Sequence, residues 1–169
     1  QSNWSFYTMY KFNWTAEIVG YSLAVVGVLV AFVQGFLIRK IIPRLGQVKS
    51  IYLGMSFSAL GLLLFGLASE SWMMFAFLIP YCLGGIAGPS IQGVISSQVP
   101  ANEQGELQGA LTSLMSLCGV FGPLLMTNLF AFATAKNSTF HVPGAPFFLA
   151  SCLTLVSFYL SYRTLSKKH

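Results

Sequence analysis

Five apolar runs, each long enough to cross a bilayer as an α-helix, constrain this chain more than any other feature. A spanning helix needs about 20 predominantly apolar residues, because each residue rises about 1.5 Å and the hydrocarbon core is about 30 Å thick. Only 8% of the 169 residues are charged, whereas soluble domains carry about 25%. The sequence therefore predicts an all-α integral membrane protein, with spans at about 16–38, 50–68, 72–97, 107–134 and 147–162.

Local residue choices predict where the helices begin, end and bend. Thr15 is placed to cap the first span, and Glu17 then falls in the first turn, where the helix dipole favours an acid. We expect this span to end at Arg39-Lys40 and a short basic turn to follow it. In the fourth span, Gly122 and Pro123 predict a break, because proline lacks the backbone N–H that an α-helix uses.

The basic residues predict topology rather than a nucleic-acid surface, although the net charge is +5. Short cytoplasmic loops carry an excess of Lys and Arg. The richer side holds Arg39, Lys40, Arg44, Lys49, Arg163, Lys167 and Lys168, and the other side holds Lys11 and Lys136. We therefore expect the amino end outside, the carboxyl end in the cytoplasm, and the lipid bilayer as the surrounding partner, with no nucleic acid.

Small and polar residues recur at helical spacing on three spans, so that they share one face of each helix. On the first and third spans they are Gly20, Ala24, Gly27, Ala31, Gln34, Tyr81, Gly85, Gly88, Gln92 and Ser96. On the fourth they are Gly105, Gln108, Gly109, Thr112, Ser113, Ser116 and Gly119. For the glycines the favoured interpretation is close helix packing. For Gln34, Tyr81 and Gln92 packing and a water-filled cavity are equal alternatives.

The chain is poor in the groups that catalysis and metal binding require. It has no Asp, and its four acids, at predicted helix ends or in loops, are Glu17, Glu70, Glu103 and Glu106. Cys82, Cys118 and Cys152 are expected to be small buried hydrophobes. No nucleophile–base pair or metal-ligand spacing is visible, so we expect no enzyme, no cofactor and no metal site.

Several blocks resemble the carboxyl-terminal half of a major facilitator superfamily transporter of the tetracycline-resistance efflux type, which are drug:proton antiporters. The strongest are Gln104-Gly-Glu-Leu-Gln-Gly109 and Gly119-Val-Phe-Gly-Pro-Leu-Leu125. The others are Lys11-Phe-Asn-Trp-Thr15, Gly20-Tyr-Ser-Leu-Ala24, Gln34 and Gly84-Gly-Ile-Ala-Gly-Pro-Ser-Ile-Gln-Gly93. The segment with Arg39, Lys40, Arg44, Gly46 and Lys49 resembles the second copy of the superfamily's cytoplasmic loop motif. Arg39 and Pro43 stand where the fuller motif has a glycine and an acid.

The resemblance implies an arrangement and a set of candidate residues. Residues 1–10 would end the seventh helix and the five spans would be helices eight to twelve, so the start at Gln1 is expected to follow a missing amino-terminal half. Substrate-cavity candidates are Tyr7, Gln34, Tyr81, Gln92, Ser113 and Ser116. Helix-packing candidates are Gly84, Gly88, Gly105, Gly109, Gly122 and Pro123.

The resemblance also implies a function. We expect a fragment of a proton-coupled efflux antiporter in the cell (inner or plasma) membrane, with protons and a small amphipathic drug such as a tetracycline as its partners. The proton-carrying acids would lie mainly in the missing half. The alternatives are a major facilitator carrier of a metabolite or nutrient, and an inactive truncated membrane fragment.

Overall fold

Helices alone make up the secondary structure of residues 2–134 and 144–165, which are the residues described by the computed structural model. The first three α-helices are α1 (Ser2–Phe12), α2 (Ala16–Phe32) and α3 (Ile38–Leu45). They are followed by α4 (Gln47–Leu67), α5 (Ser71–Leu83), α6 (Ala87–Ser96), α7 (Gln104–Thr134) and α8 (Ala145–Leu165). The predicted basic residues Lys136, Lys167 and Lys168 lie outside the described residues.

Five segments of the described chain are long and apolar enough to cross a membrane. They are Ala16–Leu45, Gln47–Leu67, Ser71–Ser96, Ala101–Phe132 and Ala145–Leu165. The predicted fold class, an all-α protein with five spanning helices, is confirmed. The bounds depart from those expected from sequence by a few residues at most ends, and by more at the end of the first span and the start of the fourth.

The first span begins as the sequence predicts and ends later than it predicts. Thr15 Oγ1 accepts a hydrogen bond from the Ile18 amide at 3.4 Å, and Glu17 lies in the first turn. The helix does not stop at Arg39-Lys40. It continues through a π-helical stretch, Val33–Leu37, into α3.

Gly46, rather than the basic pair, ends this span. Its φ angle of +79° is one that residues with a side chain rarely adopt. Its amide still donates to the Ile42 carbonyl at 2.9 Å, which closes the last turn. Pro43 lies inside α3. The expected basic turn is therefore mostly helix, because positive charge at a helix C-terminus favours the helix rather than ending it.

The two proline-containing spans differ in regularity. In the third span, α5 carries Pro80 and passes through a short 3-10 stretch, Gly84–Ile86, into α6. The fourth span, α7, is one continuous α-helix of 31 residues that contains Pro123. The predicted break at Gly122 and Pro123 is therefore wrong. A proline removes a single N–H from the helical ladder, and the bonds on either side maintain the helix.

Helix α4 is the centre of the packed unit, and it packs against α5, α6 and α8. Glycines allow this close approach: a Cβ atom on Gly54 would lie 2.5 Å from the Ala87 backbone nitrogen, and one on Gly61 would lie 2.7 Å from Tyr81 Cα. Ser151 of α8 adds a hydrogen bond to the Ala59 carbonyl at 2.9 Å. Lipid is as apolar as the side chains, so contact between small residues has to hold such helices together.

An aromatic cluster closes the end of the unit at which α4 stops and α5 starts. Its buried members include Tyr7, Trp14, Phe65, Met74 and Phe147. The rings of Tyr7 and Phe147 meet edge to face, with centroids 4.7 Å apart. This geometry is favourable for aromatic pairs, and it ties α1 and α8 to the same point.

We predict that Gly84→Ala destabilises the chain and that Gly85→Ala does not. A Cβ atom on Gly84 would clash with Ser58, whose backbone nitrogen would lie 2.8 Å away, whereas nothing lies within 4 Å of a Cβ on Gly85. Overpacking of this kind costs about 1–3 kcal/mol. Thermal unfolding of the purified chain in detergent measures the difference, and equal melting temperatures for the two variants would contradict the packing.

Candidate functional site

A cleft between α6 and α7 is large enough to hold a small ligand. It has a volume of about 440 Å³, which is within the range of small-molecule pockets. We call it the α6–α7 cleft, and its walls are Gly88, Pro89, Ile91, Gln92, Ile95, Gln108, Leu111, Thr112 and Met115. Amide and hydroxyl groups thus sit on a mainly apolar wall, and none of these residues carries a formal charge.

The polar centre of the cleft is a pair of amides. Gln92 Nε2 of α6 donates to Gln108 Oε1 of α7 at 3.0 Å. A Gln side chain has two N–H donors and an oxygen with two lone pairs, so this single bond leaves both amides able to bind a ligand. The Gln92 side chain is exposed. Both amides are therefore accessible to a molecule in the cleft.

Two predicted serines lie close to the cleft without lining it. Ser113 Oγ donates to the Gly109 carbonyl and Ser116 Oγ donates to the Thr112 carbonyl, both at 2.9 Å. Both residues are exposed on α7. Gln108 and Thr112 line the cleft instead, although they were not among the site candidates. Their place in the small and polar stripe of α7 was the signal that could have identified them.

Tyr81 is separated from Gln92 and lines a different, smaller cavity of about 190 Å³. Trp4, Leu23, Leu78 and Phe147 are among the other walls, so aromatic and aliphatic side chains surround this second cavity. The Tyr81 ring lies 5.4 Å from the Phe65 ring. Of the cavity candidates, the structure therefore places only Gln92 in the α6–α7 cleft.

Gln34 lies in the π-helical stretch of the first span. The stretch, Val33–Leu37, places one extra residue in a turn and rotates the positions that follow it relative to Gly20 and Gly27. The Gln34 side chain is exposed and is not one of the cleft walls. A role for Gln34 in a cavity stays a prediction.

Tyr7 is buried in the aromatic cluster and faces no open space, contrary to the expected place on a cavity wall. Its hydroxyl donates to the Phe65 carbonyl at 2.9 Å and accepts from Lys11 Nζ at 3.0 Å. Lys11 also donates to the Ala68 carbonyl at 2.6 Å, at the carboxyl end of α4. Burial lowers the pKa of the Lys11 ammonium from its ordinary value. The carboxyl end of a helix dipole, where Lys11 lies, favours a positive charge.

Only one of the five glycines predicted to pack does so against the described residues. Gly84 meets Ser58, whereas nothing lies within 4 Å of a Cβ built on Gly88, Gly105, Gly109 or Gly122. Pro123, predicted to pack with them, is exposed. For these positions a packing role toward another part of a larger protein stays a prediction.

The charged loop-motif residues and the three cysteines are not walls of the α6–α7 cleft. The loop-motif residues Arg39, Lys40, Arg44, Gly46 and Lys49 are exposed at one end of the unit. Within the described ranges no three His, Cys, Asp or Glu residues come together as a metal site would require.

Cys82 is buried as predicted, but Cys118 and Cys152 are exposed, so the expectation of burial is wrong for those two.

The long apolar helices and the uncharged cleft between two of them define a multi-pass α-helical membrane protein. The family model described as Major Facilitator Superfamily matches residues 2–169. The chain therefore belongs to the major facilitator superfamily, as its sequence blocks predict.

Curated relatives include tetracycline resistance proteins. The class C protein of Escherichia coli is 38% identical over 151 residues, which cover 89% of this chain and 38% of the relative. The class G protein of Vibrio anguillarum is 36% identical over 154 residues, covering 90% of this chain and 39% of the relative. The chain thus spans less than two fifths of the length of these relatives. No solved structure matches the chain.

A mammalian protein is also similar. Hippocampus abundant transcript-like protein 1 of Mus musculus is 28% identical over 158 residues, which cover 85% of this chain and 31% of the relative. The likeness therefore extends beyond bacterial proteins whose names refer to tetracycline.

We predict that Tyr7→Phe lowers stability by about 1 kcal/mol, because it removes a buried hydroxyl that both donates and accepts a hydrogen bond. Tyr21→Phe is the matched control, since the Tyr21 ring is exposed and its hydroxyl makes one long contact of 3.5 Å with Glu17. Thermal unfolding in detergent compares the two variants. A Tyr7→Phe chain as stable as the Tyr21→Phe chain would argue against a structural role for this hydroxyl.

Proposed function

We propose that this chain forms part of a proton-coupled efflux antiporter for tetracycline-like or other amphipathic drugs. The observation that carries the proposal is the 38% identity with a tetracycline resistance protein over 89% of the chain. The α6–α7 cleft supports it. Uncharged amides on an apolar wall suit a ligand with both a large hydrophobic surface and a few hydrogen-bonding groups.

The proposal includes a missing partner, the amino-terminal half of the same transporter, with this chain as the carboxyl-terminal half. The most apolar window of the α7 span has no buried residue within the described chain, and the corresponding window of the first span is 11% buried. Large apolar side chains such as Met115 and Phe132 are more than 70% exposed on α7. A second half packed over the small residues of these helices would complete a central cavity between the two halves.

Proton coupling is assigned to that other half. An intramembrane relay needs ionisable side chains at membrane depth. Glu17 lies in the first turn of α2, and Glu103 and Glu106 lie at the start of the α7 span. These positions are at helix ends, where water reaches them. In the proposed transporter the chain supplies binding surface, while acids elsewhere carry the proton.

The proposed location is the cell (inner or plasma) membrane, with the carboxyl end in the cytoplasm. The exposed basic residues Arg39, Lys40, Arg44 and Lys49 lie near the end of α8 that carries Arg163, since Tyr52 and Tyr162 pack with ring centroids 5.6 Å apart. An excess of Lys and Arg favours the cytoplasmic side.

A carrier of metabolites or nutrients is the alternative function. Carriers of sugars or organic anions use charged side chains, or several amides, at cavity depth. The α6–α7 cleft has two amides, Gln92 and Gln108, and none of its walls is charged. This composition favours the amphipathic drug.

We predict that residues 1–169, grafted in place of the aligned segment of the E. coli class C protein, preserve part of its tetracycline resistance in a sensitive host. The reason is that the aligned segments would build the same half of the cavity. Minimum inhibitory concentrations measure the outcome, with membrane levels determined by immunoblot. A grafted protein that reaches the membrane without raising resistance to tetracyclines or a dye panel would count against drug efflux.

The chain expressed alone is the matched control for the graft, and we expect it to confer no resistance. It lacks the second cavity wall and the coupling acids of the proposed transporter. Proton-driven drug uptake into vesicles that contain only residues 1–169 would overturn the proposal that a second half is needed.

We predict that Gln92→Ala, made in the same graft, lowers resistance several-fold at unchanged membrane level. The change removes an accessible amide from the cleft without disturbing a backbone contact. Gln104→Ala is the contrasting variant, because Gln104 Nε2 donates to the Ser96 and Val99 carbonyls at 2.8 Å and so holds the turn before α7. It should lower the membrane level. If Gln92→Ala and the unsubstituted graft confer equal resistance, Gln92 has a packing role rather than a role in drug binding.

A further inference from the structure

The proposed transport function does not use a cavity at the basic end of the unit. It has a volume of about 700 Å³ and lies between the turn that joins α3 to α4 and the last turns of α8. Its walls include Leu45, Val48, Lys49, Tyr52, Tyr162 and Leu165. We call it the basic-end cavity. It shares no wall residue with the α6–α7 cleft, so the two are separate sites.

Positive charge is concentrated around this cavity. Lys49 is one of its walls, Arg44 directly precedes the wall residue Leu45, and Arg163 directly follows the wall residue Tyr162. All three side chains are exposed, and none of them forms an ion pair among residues 2–134 and 144–165. Lys40, at the same end, lies over the ring of Phe36 at 5.7 Å instead. Lys49 therefore brings to the cavity wall a positive charge that no ion pair within the described chain neutralises.

Acidic side chains do not compensate for this charge at the cavity. The four acids of the chain are Glu17, Glu70, Glu103 and Glu106. None of them is a wall of the cavity. An anion in the cavity would thus meet Lys49 without a competing carboxylate on the walls.

The remaining walls are amphipathic in the way that a membrane interface requires. The Tyr52 ring packs against the rings of Tyr162 and Phe158, with centroids 5.6 Å and 5.7 Å apart. Tyrosine is enriched at interfaces because its ring is apolar and its hydroxyl is polar. Leu45, Val48 and Leu165 supply apolar surface next to these rings. A ligand here would therefore have an anionic part beside Lys49 and an apolar part against the aliphatic walls.

We propose that the basic-end cavity binds the headgroup of an anionic phospholipid, with the phosphate beside Lys49 and the tyrosine hydroxyls and the acyl chains along the aliphatic walls. Basic pockets between spanning helices bind acidic headgroups on the cytoplasmic side, where anionic lipid is concentrated. This inference rests on the proposed orientation, in which the end rich in Lys and Arg is cytoplasmic. The site is distinct from the α6–α7 cleft, and it does not require that the protein transports drugs.

Native mass spectrometry of the full chain in detergent tests the site. The chain is mixed with equal amounts of dioleoyl phosphatidylglycerol and dioleoyl phosphatidylcholine, and the lipid retained per protein is counted. We expect preferential retention of phosphatidylglycerol and a decrease of about fivefold in Lys49→Gln, the effect of one basic side chain near an acidic membrane surface. Lys49→Arg, which keeps the charge, should retain the lipid.

Lys40→Gln is the matched control, because it removes one positive charge from the same end at a residue that does not line the cavity. We expect it to retain phosphatidylglycerol as the parent does. An equal loss in Lys40→Gln and Lys49→Gln would show attraction to net charge alone and overturn the site. Equal retention of the two lipids by the parent would do the same.

Inorganic phosphate separates a lipid site from a site for a free anion. We expect millimolar phosphate to leave the retained phosphatidylglycerol unchanged, because the acyl chains contribute to binding. Displacement of the lipid by phosphate alone would overturn the assignment to a phospholipid. Melting temperatures of all variants exclude misfolding as the cause of lost lipid, and Lys49→Arg provides a folded comparison if Lys49→Gln is unstable.

Discussion

Close backbone approach along α4 is the constraint on which the rest of the described structure depends. In a bilayer the hydrophobic effect does not drive helices together, so association relies on contact between small residues and on a few hydrogen bonds. Gly54 and Gly61 allow α5 and α6 to approach α4 on one side, and the Gly66 backbone meets Gly144 next to α8. Because most of these contacts are made to α4, the faces of the neighbouring helices that point away from α4 remain exposed.

The open faces explain why the polar groups of the unit lie where they do. The Gln92 and Gln108 amides bond to each other across the α6–α7 cleft, where Gln92 is exposed and Gln108 is partly exposed. By contrast, the polar groups of Tyr7 and Lys11 are already hydrogen-bonded at the end of α4. The Tyr7 hydroxyl donates to the Phe65 carbonyl and the Lys11 ammonium donates to the Ala68 carbonyl. A polar residue in a spanning helix can thus serve packing or binding, and its bonding partners distinguish the two roles.

Much of the fold was predictable from sequence because hydropathy and helix length are local properties. The five spans, the Thr15 cap and the position of Glu17 required no knowledge of neighbours. The break predicted at Pro123 and the end of the first span predicted at Arg39-Lys40 were both wrong. The reason again lies in the local backbone. Loss of one hydrogen bond does not end a long helix, whereas the left-handed backbone of Gly46 does.

The candidate site was less predictable, because a stripe of small and polar residues looks the same whether it packs or faces a cavity. Gly84 and Gly88 are four residues apart on one helical segment, yet only Gly84 has a neighbour that a side chain would displace. Tyr7 was expected on a cavity wall from the resemblance and is instead fully buried. Such differences depend on which helix lies opposite, and a single sequence does not encode that directly.

By itself, the sequence determined the membrane class, the number of spans, the concentration of positive charge at one end and the superfamily, since each follows from composition, spacing or short blocks. Only the tertiary structure decided that α4 is central, that Gln92 meets Gln108 rather than Tyr81, and that Lys49 borders an amphipathic cavity with Tyr52 and Tyr162. The physical reason is that these contacts join residues from different helices. Their formation depends on how closely the backbones of α4 and its neighbours approach, which the small residues permit but do not specify.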